Sequence, residues 1–170
     1  MKVTGRIFKL PPDHRDDVNT DVIIAGRHLR VPEDELARHA FENVMPDFHE
    51  QIEGHSILVA GRNMGCGSSR EQAPKALLGC GIRLVIAESF GNIFYRNAVN
   101  LGLGVLVLPD PSALDRLEGG REATVDLASG VVEIDGGPTL EAQPVAEHVM
   151  RILSAGGLLP LLKKDPDALL

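Results

Sequence analysis

Hydrophobic positions fall into short runs separated by polar stretches rich in glycine and proline. Residues 3–8 (VTGRIF) predict a first strand. The next stretch, PPDHRDDVNTD, is rich in Pro, Asp and Asn and predicts turns and loop; VIIA then forms a brief apolar run. Pro32 followed by Glu33, Asp34 and Glu35 predicts a helix start, because proline suits the first helical position and acids suit the first turn. Leu36, Ala40 and Phe41 would share that helix's apolar face. HSILVAG (55–61), IRLVIAES (82–89) and GVLVLP (104–109) read as buried, near-continuous aliphatic strands. KALLGCG (75–81) predicts a helix that stops at Gly79 or Gly81. FGNIFYRNAVNLG predicts another, with Ile93, Asn97 and Asn100 or Leu101 at helical spacing. Strand–helix–strand–helix–strand over 55–108 indicates α/β architecture with a parallel element.

Beyond Pro109 the texture changes. SALDRL predicts a short helix. ATVDLASGVVEIDG alternates apolar and polar positions around Ala128-Ser129-Gly130, a hairpin signature. VAEHVMRILSAGG predicts an amphipathic helix ending at Gly156-Gly157, and PLLKKDPDALL a short peripheral or frayed tail. Neither repeat nor linker interrupts the pattern. The reading is one α/β domain over residues 1–170 with an appended hairpin and helix.

Composition sharpens this. Aromatics make up 4% and Trp is absent, so the core must be built from Val, Leu, Ile and Ala. The formal net charge is −7, which argues against nucleic acid as a partner. An acidic chain that binds an anion must gather a few arginines locally against its own field. No apolar run reaches the roughly 18 residues of a membrane span, and MKVTGRIFKL lacks a signal peptide's apolar core. A cytoplasmic, reducing setting is therefore expected. Cys66 and Cys80 are the only cysteines and match no zinc spacing. An iron–sulfur cluster needs about four thiolates, or three with an open iron, so this chain is expected to bind none by itself.

The candidate chemistry lies in Gly65-Cys66-Gly67-Ser68-Ser69-Arg70-Glu71, between a predicted strand and a predicted helix. Ligands of α/β sheets bind beyond the carboxyl ends of strands. There, glycines admit close approach, free N–H groups attract anions and a guanidinium grips a carboxylate. The plainer reading is a capping box, Ser68 with Glu71 or Ser69 with Gln72, and spacing alone favours it. Pro74 lacks an N–H, so the helix either begins near it or has an irregular first turn. A third glycine of the dinucleotide fingerprint, a P-loop G-K-[ST] and a G-x-S-x-G elbow are all absent.

The stretch from Gly65 to Pro74 resembles the signature of the aconitase swivelling domain, which also occurs separately as a small dehydratase subunit. Asn19-Thr20-Asp21-Val22-Ile23-Ile24 resembles that family's N-terminal motif, and Ser89-Phe90 with Ile93-Phe94-Tyr95-Arg96-Asn97-Ala98 resembles its third. Ser154-Ala155-Gly156-Gly157-Leu158 adds a weaker match. The resemblance implies a swivelling β/β/α fold and a hydro-lyase that moves a hydroxyl between adjacent carbons by removing and re-adding water. It implies a separately encoded large subunit whose [4Fe-4S] cluster binds the substrate hydroxyl and a carboxylate. It makes Ser68 the proton-abstracting alkoxide and Asp21 its support, with Ser69 and Arg70 on a substrate carboxylate and no metal ligand on this chain.

By the same resemblance the loop 26–31 chooses the substrate. It often begins Tyr-Leu in archaeal members; here it reads His28-Leu29, then Arg30. An apolar third residue suits isopropylmalate, whereas arginine suits the third carboxylate of homoaconitate or citrate. Two readings outside the dehydratase stay open: a stand-alone anion-binding module, and an enzyme using Ser68 as nucleophile, for which no base is evident nearby. The remaining histidines show no ligand spacing and read as surface or core residues.

Overall fold

The computed structural model describes residues 1–168; the last two residues of the predicted tail lie outside them. Seven strands form one sheet: β1 (Lys2–Lys9), β2 (His55–Val59), β3 (Leu84–Ala87), β4 (Gly104–Val107), β5 (Glu122–Asp126), β6 (Val131–Ile134) and β7 (Thr139–Glu141). Their spatial order is β4-β3-β2-β1-β5-β6-β7. The β1–β2, β2–β3 and β3–β4 pairs are parallel, and β1–β5, β5–β6 and β6–β7 are antiparallel. β1 is thus the seam between a parallel half and a meander. Its middle is crowded: a side chain at Gly5 would collide with Ser56 on β2, and the register shifts between Arg6 and Ile7.

The helices are α1 (Thr20–Ile23), α2 (Phe48–Gln51), α3 (Gln72–Gly79), α4 (Asn92–Asn100), α5 (Pro111–Asp115), α6 (Glu147–Ser154) and α7 (Leu158–Lys164). α3 and α4 are the crossovers of the parallel half, as predicted. β2, β3 and β4 are almost wholly buried, which explains their unbroken aliphatic sequences. The core carries few aromatic rings, chiefly Phe41, Phe48 and Phe94. The predicted hairpin is β5–β6, with Asp126 pairing Val131 across the turn. Among the described residues no helix is long and apolar enough to cross a membrane.

Two expectations fail locally. The helix predicted after Pro32 is a run of 3-10 turns over Glu33–His39. Leu36, Ala40 and Phe41 are all buried, but the chain bends at Phe41, whose φ is +55° and whose N–H donates to the Ile23 carbonyl. In α4 the buried residues are Phe94, Ala98 and Val99, while Ile93 is exposed, so the inward face lies one position along from the predicted one. Of the two readings of the tail, the peripheral one holds through residue 164, where α7 packs against α4 and α6 and buries Leu161.

Gly65 fixes how closely the loop after β2 approaches α4. Its φ is +75°, and a Cβ built there would lie 2.1 Å from the Phe94 ring. Gly65→Ala adds left-handed strain and a core clash, so unfolding in urea should show a loss of about 2 kcal/mol or more; unchanged stability would mean that this approach is not tight.

Candidate active site

The loop after β2 lies at the carboxyl end of the parallel strands, where α/β sheets place ligands. It is stitched to the segment leading into α1. The Val18 carbonyl accepts the N–H groups of Gly65 (2.8 Å) and Cys66 (3.1 Å), and the Thr20 N–H donates to the Cys66 carbonyl at 2.9 Å. Thr20 is the one buried polar residue among the described residues, and its hydroxyl donates to the Ser68 carbonyl at 2.9 Å. Asn19 caps α1, its Oδ1 accepting the Asp21 N–H at 2.9 Å. Gly67, at φ +91°, passes so near Asn19 that a Cβ there would meet its carboxamide at 2.5 Å. Two of the motifs read from the sequence are therefore one structure.

Ser68 and Ser69 are exposed at the top of this assembly. Neither serine caps α3: Glu71 occupies the cap position without a side-chain bond. Pro74 is the third residue of the helix, where a missing N–H costs little, so the irregularity it predicts is absorbed in the first turn and residues 65–71 remain loop. The backbone N–H groups of residues 67–72 donate to no protein acceptor among the described residues. That leaves a row of free donors beside two hydroxyls, the arrangement that favours an oxyanion.

Arg70 is held rigidly. Its Nη1 donates to the Ile24 carbonyl at 2.9 Å and forms an ion pair with Asp21. The Arg70 side chain is only 14% exposed against 48% for Asp21, so the guanidinium is walled in while the carboxylate reaches solvent. Gly26 lies over the guanidinium: a Cβ there would sit 3.6 Å from Nη2. Among the described residues, Nε and Nη2 have no protein hydrogen-bond acceptor. They form one edge with two parallel N–H groups, which fits a carboxylate.

Asp21, Ser68, Ser69 and Arg70 thus converge on one surface. Asp21 reaches that surface through its contact with Arg70. Arg30 is exposed and makes no hydrogen bond or ion pair among the described residues. Its loop is nonetheless anchored to the site, by Gly26 over Arg70 and by Gln72 Nε2 donating to the Leu29 carbonyl at 3.4 Å. A shallow hollow of about 450 Å³ opens on the other flank, lined by Gly65, Cys66, Gly67, Gly91, Ile93 and Arg96 among others.

Cys66 Sγ donates to the Asp17 carbonyl and Cys80 Sγ to the Ala37 carbonyl, and burial pushes the Cys80 pKa up to about 12. One grouping escaped the sequence reading: His28 and His39 both contact Glu42. Burial raises the pKa of the Glu42 carboxyl, but hydrogen bonds to His39 and His28 more than offset this, and the net shift is downward. Spacings of 11 and 3 residues gave no ligand motif, because the three meet only through the bend at Phe41.

Residues 12–111 match the aconitase C-terminal domain family. A 3-isopropylmalate dehydratase small subunit 1 from Methanopyrus kandleri is 47% identical over 152 residues, covering 88% of each chain. A methanogen homoaconitase small subunit from Methanothermobacter thermautotrophicus is 43% identical, covering 97% of this chain and 93% of its own. The crystal structure of 3-isopropylmalate dehydratase from Methanocaldococcus jannaschii superimposes with a TM-score of 0.86 at 39% identity, covering 98% of this chain and 96% of that one. A swivel-type α/β sheet, a serine–arginine loop stitched to an Asn-Thr-Asp turn and this degree of likeness over nearly the whole length have one account: the chain belongs to the aconitase C-terminal domain family, in the group of separate small subunits typified by 3-isopropylmalate dehydratase.

Proposed function

We propose that this chain is the small subunit of a 3-isopropylmalate dehydratase, a hydro-lyase that interconverts 2- and 3-isopropylmalate by removing and re-adding water. The observation that carries the reading is the exposed Ser68 hydroxyl on a loop braced from beneath, beside free N–H groups and a fixed guanidinium. Ser68, as alkoxide, takes a proton from the substrate carbon and returns it in the reverse direction. A serine hydroxyl is a weak acid, so its anion needs fixed donors; the N–H groups around residues 67–70 are placed to provide them. Arg70, through Nε and Nη2, and Ser69 hold a substrate carboxylate. Asp21 shares the Arg70 guanidinium, sets its orientation and tempers its charge.

Two thiols, both bonded to main-chain carbonyls, do not make a cluster site on this chain. The [4Fe-4S] cluster, which supplies Lewis-acid chemistry to the substrate hydroxyl, therefore belongs to a separately encoded large subunit. Isolated, the chain should have no dehydratase activity.

Arg30 favours a second substrate class. An exposed guanidinium without a protein partner, on a loop anchored to Arg70, suits a third carboxylate, and a homoaconitase small subunit is among the relatives. The reading that follows is an isopropylmalate enzyme with added capacity for tricarboxylates.

Reconstitution with the large subunit tests these roles. Ser68→Ala should assemble normally and lose turnover by roughly 10²–10⁴-fold, the scale of a missing general base; retained turnover would remove Ser68 from its role. Thr20→Val should lower kcat by roughly tenfold by freeing the Ser68 carbonyl, with Thr20→Ser restoring it; equal rates in Val and Ser variants would show that the brace does not position the loop. Arg30→Val should depress rates on homoaconitate and citrate while sparing isopropylmalate. An unchanged ratio between the two substrate classes would exclude Arg30 from selection.

A further inference from the structure

We propose that His28, His39 and Glu42 form a binding site for a divalent transition-metal ion, best suited to Zn²⁺, that clasps the loop carrying Arg30. One ring nitrogen each from His28 and His39 and a Glu42 carboxylate oxygen all lie within 4.8 Å of one another. The imidazole nitrogens approach the two carboxylate oxygens separately, at 2.6 Å from His28 and 2.9 Å from His39. The two rings stack, with centroids 3.7 Å apart and planes within 10°, and because imidazole lone pairs lie in the ring plane, one ring must turn out of the stack for both nitrogens to meet one ion. Two imidazoles and one carboxylate are a borderline donor set that prefers Zn²⁺ to Mg²⁺ or Ca²⁺, and three protein ligands leave a fourth position for water.

The donors come from separate stretches of chain: the turn Gly26–His28, the end of the Glu33–His39 turns, and the residue after Phe41. Phe41 is fully buried with a left-handed φ, a conformation rare for a bulky residue, and its N–H bond to Ile23 fixes the direction in which Glu42 leaves the bend. The group is partly buried, with side-chain exposures of 14%, 28% and 20%, so a bound ion would be shielded but reachable. One group competes for this place. Arg27 Nε donates to His28 Nε2 at 3.0 Å, and its Nη2 pairs with Glu42. Its side chain is 60% exposed and can swing into solvent when a cation arrives.

The test uses the full chain after chelator treatment, with Zn²⁺ followed by calorimetry and Co²⁺ by its visible absorption. One equivalent should bind, with the affinity falling on acidification, because protonated imidazole cannot ligate. The double variant His28→Ala/His39→Ala, which keeps both cysteines, should weaken binding by about 10-fold or more. Arg27→Ala should tighten it, a gain that misfolding cannot imitate. Equal Zn²⁺ affinity in the wild type and the double variant, or no measurable binding in the wild type, overturns the proposal.

Discussion

The site depends on a short stitch of hydrogen bonds between residues 18–20 and 65–68. A loop of two glycines and two serines has little reason to hold one shape in water, since each ordered residue costs about 1–2 kcal/mol of backbone entropy. Here Val18 and Thr20 supply main-chain partners to Gly65 and Cys66, and the buried Thr20 hydroxyl takes the Ser68 carbonyl. The Gly65 and Cys66 N–H groups and the Ser68 carbonyl are paired within the protein, and the N–H groups of residues 67–72 have no protein acceptor among the described residues. Order is imposed from beneath, so the upper surface can be left to a ligand.

Charge follows the same division of labour. The chain is acidic overall, so an anion approaches against the average field and needs a local exception. Arg70 is that exception, and its rigidity follows from contacts with Asp21, Ile24 and Gly26. A guanidinium fixed before the ligand arrives loses less side-chain freedom on binding than a free one. The neighbouring loop rests on that same guanidinium, so the orientation of Arg70 and the path of residues 26–30 are not independent.

Much of the fold was legible because burial and sequence pattern agree in its elements. β2, β3 and β4 are buried and read as unbroken aliphatic runs; β5 and β6 alternate and read as a hairpin. Pro74 left open whether the helix begins near it or has an irregular first turn, and α3 begins two residues before it, at Gln72. The illegible parts rest on long-range partners. The Phe41 bend is held by Ile23, a residue far back along the chain. α4 turns Phe94 inward because the core behind Gly65 has room for a ring there, which no local spacing reveals. The convergence of Asp21 with Arg70 was implied by family likeness alone, since 49 positions separate them. Arg30 carried a chemical argument from the sequence, and its freedom from protein partners adds only that it is available.

The position of β1 bears on how the molecule assembles. β1 lies between residues 55–59 on one side and 122–126 on the other. Both partners follow it in the chain, and its second edge pairs only with residues 116 to 124 positions further on, Arg6 with Glu122 and Lys2 with Asp126. Topologies dominated by such distant pairings fold slowly, and unpaired edges invite association with other chains. The β2–β4 half, built from nearby crossovers, is the natural first-formed unit, and the meander can close only after β1 has docked on it. Changes in β1 would therefore act on the link between the two halves, in the middle of the finished sheet.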